Sequence, residues 1–324
     1  QDLKKEGISI IYISHRMAEI FTQCDRVTVF RDGKYVATKK ISETTPDEIV
    51  KLLVGREVSN LYPPKFQGDT KQNPVSLVVS GLSDGSRFND INFEVYEKEI
   101  FGISGLIGAG RSEMVKSICG LHKKTSGTIK FRGKLIKTDT YQMGIENGIV
   151  YLSEDRKGNG VFTELSIAEN VSALRPEQVS MYGFIDTKEE LKQAQRLTSE
   201  LKLKSSGMNA PVSSLSGGNQ QKVAFAKMLS IKPKLIIMDE PTRGIDVGAK
   251  SEIHKMIREL AQSGVGVIVI SSELPEVIGL SDRIMVMCEG SNAGILEEDQ
   301  ISEENIMHLA SGSRHPIVHK NPSN

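Results

Sequence analysis

Net charge of either sign is missing from this chain of 324 residues: 41 Lys and Arg face 41 Asp and Glu. A protein that lives by neutralising nucleic-acid phosphates carries a basic excess, so nucleic acid is not an expected partner. Cysteine is scarce. Cys24, Cys119 and Cys288 are scattered with no CxxC pair, which argues against a secreted disulfide scaffold and for a reducing compartment. No apolar run approaches the ~18 residues of a membrane span. Short runs such as Leu235 to Met238 suit buried strands. A signal peptide and an initiator Met are both lacking, and Gln1 opens inside what reads as a helix. The expectation is that this terminus is a cut. What is present, 38% hydrophobic and 25% charged residues, is the balance of a folded chain of about two domains.

An internal repeat organises the rest. Gly7–Ile20 (GISIIYISHRMAEI) resembles Gly264–Val277 (GVGVIVISSELPEV). Ile13 matches Ile270, Ser14 matches Ser271 and Glu19 matches Glu276, each pair 257 positions apart. The same offset pairs Asp25 with Asp282, Arg26 with Arg283, Gly33 with Gly290, Ile49 with Ile306 and Gly55 with Gly312, without a gap. Chance similarity does not hold register over so long a stretch. The chain is therefore expected to hold the tail of one domain (1–58), a linker (59–74), the whole of a second, homologous domain (75–313) and a polar tail (314–324). The stretch from Tyr62 to Pro74 is rich in Pro, Gln, Gly and Asp and lacks periodicity, which is linker composition. In the first domain's tail, Ile8–Ile13 reads as a strand.

The second domain opens with a strand at Val75–Val79. Further on, the buried-strand pattern Glu99 to Ser104 runs into Gly105-Leu106-Ile107-Gly108-Ala109-Gly110-Arg111-Ser112, with a helix expected over Glu113–Cys119. Strand, Gly-rich loop and helix form the context of a phosphate-binding loop. Glycines let backbone N–H groups close around phosphate oxygens, and the helix N-terminus adds partial positive charge. The spacing is that of G-x-x-x-x-G-K-[ST] with Arg111 in place of Lys. A guanidinium holds phosphate without being an equivalent lysine. Ser112 is a candidate Mg²⁺ ligand. Glu113 has two open readings: an acid favoured at a helix start, or a charge that discourages nucleotide. A plain Gly-rich turn is the bland reading of the loop.

Lys234 to Glu240 is an apolar strand ending in two acids, the Walker B pattern. Asp239 suits a Mg²⁺ shell, and Glu240 suits polarising an attacking water. Such an ending is common by itself. Upstream, however, Leu215-Ser216-Gly217-Gly218-Asn219-Gln220-Gln221 opens an amphipathic helix with Val223, Phe225, Ala226 and Leu229. The sequence LSGG, Gln, helix, then a strand into Asp239-Glu240-Pro241-Thr242 is a specific combination.

It resembles the nucleotide-binding domain of ABC ATPases, over essentially the whole chain. The runs LSGGNQQK (Leu215–Lys222), DEPTRGIDVGAK (Asp239–Lys250) and YLSEDRK (Tyr151–Lys157) look most like the ATP-binding subunit of bacterial monosaccharide importers of the ribose, galactose and xylose type, in which two such domains are fused. The resemblance implies an α/β P-loop NTPase of ABC type, with a mixed sheet core, an antiparallel β-subdomain and a helical subdomain. It implies ATP and Mg²⁺. It also implies transmembrane permease subunits as partners, a periplasmic sugar-binding protein indirectly, and an intrachain or homodimeric partner domain, at the cytoplasmic face of the bacterial inner membrane.

In ABC dimers each ATP is sandwiched between the Walker motifs of one domain and the LSGG of the other. The likeness assigns His15 the switch-histidine role in the first domain's site, completed by Ser216, Gly217 and Gly218 of the second, with Gln220 and Asp246 as further contacts. The second domain's own site would be Gly105, Gly108, Ala109, Gly110, Arg111, Ser112, Glu113, Asp239, Glu240, Glu154 and Ser272. Three of these depart from the family pattern: Arg111 for Lys, Glu154 for the Q-loop Gln and Ser272 for the switch His. Hydrolysis there is in doubt, while Asp239 and Glu240 are retained. No adenine-stacking aromatic stands before the loop, and Phe88 is read as core. Thr187-x-x-Glu190 reads as a capping box, and Leu191, Ala194, Leu197 and Leu201 give the adjoining helix one apolar face. The family's permease contacts map to Asn159–Asn170. The alternatives are a soluble non-transport ABC ATPase and an inert regulatory nucleotide-binding module.

Overall fold

The structure is a computed structural model, and it describes residues 6–13, 17–31, 34–46, 48–49, 52 and 62–312. His15, the expected tail 314–324 and all of 53–61 lie outside the described residues. The chain divides into two units, Gln1–Tyr62 with Gly244–Glu252, and Pro63–Arg243 with Ile253–Asn324.

In the first unit, helix α1 (Met17–Gln23) leads into an antiparallel hairpin of β1 (Arg26–Arg31) and β2 (Lys34–Lys40). Arg26 faces Lys40, and the register slips between Val29 and Phe30. Val27 and Val29 point to the same face of β1, as the period of two requires. They bury against Ile20 and Ile49 in a small core of their own.

The second unit starts with β3 (Val75–Ser83), β4 (Ile91–Tyr96), β5 (Ile100–Gly105) and helix α2 (Arg111–Cys119). Next come β6 (Ser126–Phe131), β7 (Lys134–Ile136), α3 (Tyr141–Glu146) and β8 (Ile149–Leu152). Helix α4 (Ile167–Ser172), the two-residue strands β9 (Ser180–Met181) and β10 (Phe184–Ile185), α5 (Thr187–Glu200) and α6 (Gly217–Leu229) form a helical layer. The chain then runs through β11 (Leu235–Asp239), α7 (Val247–Gln262), β12 (Gly266–Ile270), α8 (Leu274–Leu280), β13 (Arg283–Cys288), β14 (Ser291–Glu297) and α9 (Glu303–Ala310).

These strands make the expected layers. The order β14-β13-β5-β12-β11-β8 is a mixed sheet, parallel except for β14, and β4-β3-β6-β7 is an antiparallel sheet. The five residues of β11 and the five of β12 are all buried, the mark of parallel strands covered on both faces. One core joins the two sheets: Leu77, Val79 and Phe93 of the antiparallel sheet pack with Phe101, Ile103, Met114 and Ile237. Phe88 is in this core, 1% exposed.

The repeat is visible element by element. Every element of the first unit's hairpin region recurs 257 positions later with the same bounds: α1 as α8, β1 as β13, β2 as β14, and the 3₁₀ turn Ile41–Glu43 as Glu298–Gln300. The register slip recurs between Val286 and Met287, and Ile306 and Leu309 fill the positions of Ile49 and Leu52.

Two expectations change, and a third gains detail. Ile8–Ile13 forms no strand, and Ile11 and Ile13 are each 93% exposed. Its counterpart β12 is bonded to β11 on one side and β5 on the other, whereas 8–13 pairs with no strand among the described residues. The cap of α5 is Asp186, whose carboxylate accepts from Lys188 and Glu189 N–H. Thr187 is the first helical residue, and Glu190 turns inward to accept from Ser172 Oγ at 2.5 Å. The real capping box of this layer is Ser166 with Glu169. The apolar face of α5 is as expected, with Ala194, Leu197 and Leu201 buried. Finally, the linker-like stretch is held to the second unit. Phe66 N–H donates to Asp282 Oδ1 at 2.9 Å, and Lys71 pairs with Glu297 at 2.7 Å.

The turn from β5 to α2 depends on glycine at Gly110, which has φ +85° and so near an approach to β3–β4 that an added Cβ would lie 2.5 Å from Arg87 O. Gly108 has φ +86° with no atom within 4 Å of that position.

This packing leads to two expectations. Amides of Gly7–Ile13 should exchange at the rate of an unstructured peptide, while those of Val267–Ile270 stay strongly protected; comparable protection would contradict the unpaired state described. Both Gly108→Ala and Gly110→Ala should lose about 1–2 kcal/mol to the left-handed backbone. Gly110→Ala should lose clearly more because its methyl meets the Arg87 carbonyl, and equal urea midpoints for the two would refute this.

Candidate nucleotide site

The parallel register sets the site. Asp239 pairs with Ile270, and Ile270 with Ile103, so β11 and β12 end at one level and β5 runs two residues further to Gly105. Glu240 after β11, Ser271–Ser272 after β12 and the Gly105–Gly110 loop after β5 therefore emerge along the same edge. Ligands of open α/β sheets bind outside these carboxyl ends.

Within the loop, Ala109 N–H closes on Leu106 C=O at 3.1 Å. Gly110 caps α2 in a left-handed conformation, and the first N–H groups of a helix have no intrahelical partner. With open space at Gly108, the loop and the start of α2 have the form of a backbone anion site. Arg111 Nη1 donates to the Ser271 carbonyl at 3.3 Å, which carries its guanidinium across to the end of β12. Glu113 has a specific partner: Arg87 Nη1 lies 2.8 Å from its Oε1. That ion pair offsets the repulsion Glu113 would exert on an anion.

Asp239 is 1% exposed, and burial raises its carboxyl above the usual range. Two hydroxyls oppose this by bonding the charged form. Tyr151 Oη donates to Asp239 Oδ2 at 2.7 Å, and the Ser112 hydroxyl bonds the same carboxylate. Glu240 holds a left-handed backbone, φ +51°, a conformation that costs of order 1–3 kcal/mol and clusters at functional sites. Its Oε1 accepts from Ser272 N–H at 2.7 Å. Burial raises the Glu240 carboxyl as well, with the Ser272 bonds and the Arg111 charge opposing.

The other expected residues lie further out. Glu154 is paired with Arg243, Oε2 to Nη1 at 2.8 Å, beside a cavity of ≈ 350 Å³ that Asp155 and Arg156 also line. Ser216 is the exposed N-cap residue of α6, its Oγ accepting from Asn219 Nδ2 at 3.0 Å, with Gly217 and Gly218 in the first turn. Gln220 is buried and donates to the Val212 carbonyl at 3.2 Å. Asp246, grouped with the first unit, accepts from Ala249 N–H at 3.0 Å. Thus Arg111, Ser112, Asp239, Glu240 and Ser272 converge, while among the described residues no hydrogen bond joins Ser216, Gly217 or Gly218 to them.

Sequence reasoning passed over two features. Tyr151 was only part of a family-like run; its signal is one hydroxyl in the otherwise apolar strand Ile149–Leu152. The second is a buried network. Thr242 Oγ1 donates to Glu276 Oε1 at 2.6 Å, and His254 Nε2 lies 2.8 Å from the same oxygen. Ser271 bonds Glu276 too, so the residue after β12 is tied to the residues after β11.

Among the described residues no group of three His, Cys, Asp or Glu is placed to hold a metal. The hydrogen-bonded pair Ser112 and Asp239 fits Mg²⁺, which takes one or two protein oxygens and fills its shell with water and phosphate oxygens.

The family description "ABC transporter" matches residues 88–243. A ribose import ATP-binding protein, RbsA 2, of Rhizobium etli is 54% identical over 313 residues, covering 96% of this chain and 62% of its own length. The protein of the same name from Rhizobium meliloti is 54% identical over 312 residues, 96% of this chain and 61% of its own. The chain thus spans about three fifths of the length of these curated relatives. A nucleotide-free ATP-binding cassette from an ABC transporter has a TM-score of 0.62 at 23% identity, covering 73% of this chain and 95% of that one. Layers, loop and relatives agree, and the chain carries an ATP-binding cassette of the ABC transporter family.

Proposed function

We propose that this cassette is the second of two in the ATP-binding subunit that energises monosaccharide import, and that its own site binds Mg-nucleotide but hydrolyses it poorly. The observation that carries the site reading is the Ser112–Asp239 pair under an open Gly108. The import reading is supported by the names of relatives 54% identical over nearly the whole chain. The fused architecture is supported by the element-by-element recurrence at 257 positions.

In this reading the loop N–H groups and the α2 N-terminus hold phosphates, and Arg111 adds charge. Ser112 and Asp239 hold Mg²⁺, which neutralises phosphate charge when bound. Glu240 orients water. The Ser272 hydroxyl bonds Glu240, as its N–H does, so this side chain serves the carboxylate, where a switch histidine would contact the γ-phosphate. Glu154 is engaged by Arg243. Phosphoryl transfer depends on positioning and charge stabilisation, so these departures weaken turnover more than binding. The start of α6, with Ser216 exposed and Gly217 half-buried, serves the preceding cassette's nucleotide, together with His15.

The partners in this proposal are transmembrane permease subunits, indirectly a periplasmic sugar-binding protein, and the preceding cassette or a second copy. Phe162 and Leu165, 53% and 41% exposed within Asn159–Asn170, supply the apolar contact for the permease. Among the described residues no helix is long and apolar enough to cross a membrane. The proposed place is the cytoplasmic face, peripheral to the permease.

The purified chain should release phosphate from ATP at or near the background set by Glu240→Gln. Arg111→Lys with Glu154→Gln and Ser272→His should raise turnover where dimerisation supplies a second signature face. Robust turnover by the unmodified chain, lost in Glu240→Gln, would overturn the degenerate-site reading.

A further inference from the structure

We infer that Tyr151 decides which divalent cation Asp239 accepts, by occupying one of its two carboxylate oxygens; this rests on the Mg-nucleotide reading above. The geometry comes from strand register. Tyr151 on β8 pairs with Ile237 on β11, so its ring lies on the face that Asp239, two residues on, also uses. Two residues of strand span about 7 Å, which is the reach of a tyrosine side chain. The hydroxyl lands on Asp239 Oδ2 at 2.7 Å.

Both partners are shut away from water, Tyr151 6% and Asp239 1% exposed. A buried phenol seeks an acceptor, and a buried carboxylate needs donors on its lone pairs. Here each meets the other's need, so the contact is costly to break. Lys116 Nζ stands 5.7 Å from the centre of the Tyr151 ring and helps fix the ring from the α2 side.

The phenol takes one lone pair of Oδ2 and the Ser112 hydroxyl bonds the same carboxylate, so a cation that binds both oxygens has to compete with the phenol, while one that binds a single oxygen does not. Mg²⁺ is small, strictly octahedral and takes carboxylates through one oxygen. Ca²⁺ is larger and accepts bidentate carboxylates at higher coordination number. Tyr151 is therefore a positioning residue that keeps Asp239 monodentate and disfavours Ca²⁺.

The test is calorimetric binding of ADP to the chain and to Tyr151→Phe, with EDTA, with Mg²⁺ and with Ca²⁺. Unchanged affinity in EDTA and a Mg²⁺-to-Ca²⁺ affinity ratio lowered at least threefold in the variant would support the role. An unchanged ratio overturns it. So does an equal loss in all three conditions, which marks mere packing. Tyr151→Leu, also without the hydroxyl, replaces the phenylalanine variant if that does not fold. A wild-type chain that binds ADP but ignores both cations sinks the Tyr151 role and leaves the nucleotide site standing. One that binds no ADP at all sinks both.

Discussion

A central parallel strand has no structure except what its neighbours give it, and the whole site is built on that dependence. β12 is buried at every residue because β5 and β11 bond both its edges. The matching segment Ile8–Ile13, similarly rich in apolar residues, lies open to solvent. The β1–β2 pair after it keeps its form, since antiparallel strands close in sequence satisfy each other's bonds locally. Once β5, β12 and β11 are in register, their carboxyl ends lie along one edge, within two residues of one another. The phosphate loop, the two acids and Ser272 then meet without any further device.

That register explains what the sequence made legible. Strand, glycine loop and helix at Glu99–Cys119, and strand into acids at Lys234–Glu240, are local patterns whose meaning survives the loss of context. Ile8–Ile13 reads as a strand for the same local reason, and failed because pairing is not local. The Thr187-x-x-Glu190 pattern failed by one residue. Asp186 is the stronger cap because its carboxylate takes two N–H groups, which leaves Glu190 free to satisfy Ser172 inside the helical layer.

Least legible were the partners of buried charge. The balance of 41 basic and 41 acidic residues gives no hint of which pair. Asp282 takes two bonds from Arg258 at 2.8 and 2.9 Å, one from Ile100 N–H and one from Phe66 N–H. It thereby joins α7, the start of β5 and the docked stretch after Tyr62. Arg283 beside it is sandwiched between Glu99 and Glu297. Burying a charge is expensive unless it is paired and hydrogen-bonded, so residues this distant in sequence are fixed together by a requirement no short motif expresses.

The same distinction separates what this cassette keeps from what it departs from. Backbone donors at Gly108–Ser112 derive from the fold itself, and losing them would mean losing the turn or the helix start; the buried Asp239 carboxylate at the end of β11 is held by Tyr151 and Ser112. Arg111, Glu154 and Ser272 are side chains at the rim, each already given another partner: the Ser271 carbonyl, Arg243 and the Glu240 carboxylate. A rim can change one side chain at a time at little cost to stability, while the cradle beneath cannot. On the proposed function the fold stays under constraint for a second reason. Its α6 N-terminus must present Ser216–Gly218 to the other nucleotide, and α6 is held in place by the α4–α5 layer. A cassette can therefore stop turning over its own nucleotide and still be needed, intact, as the wall of its neighbour's site.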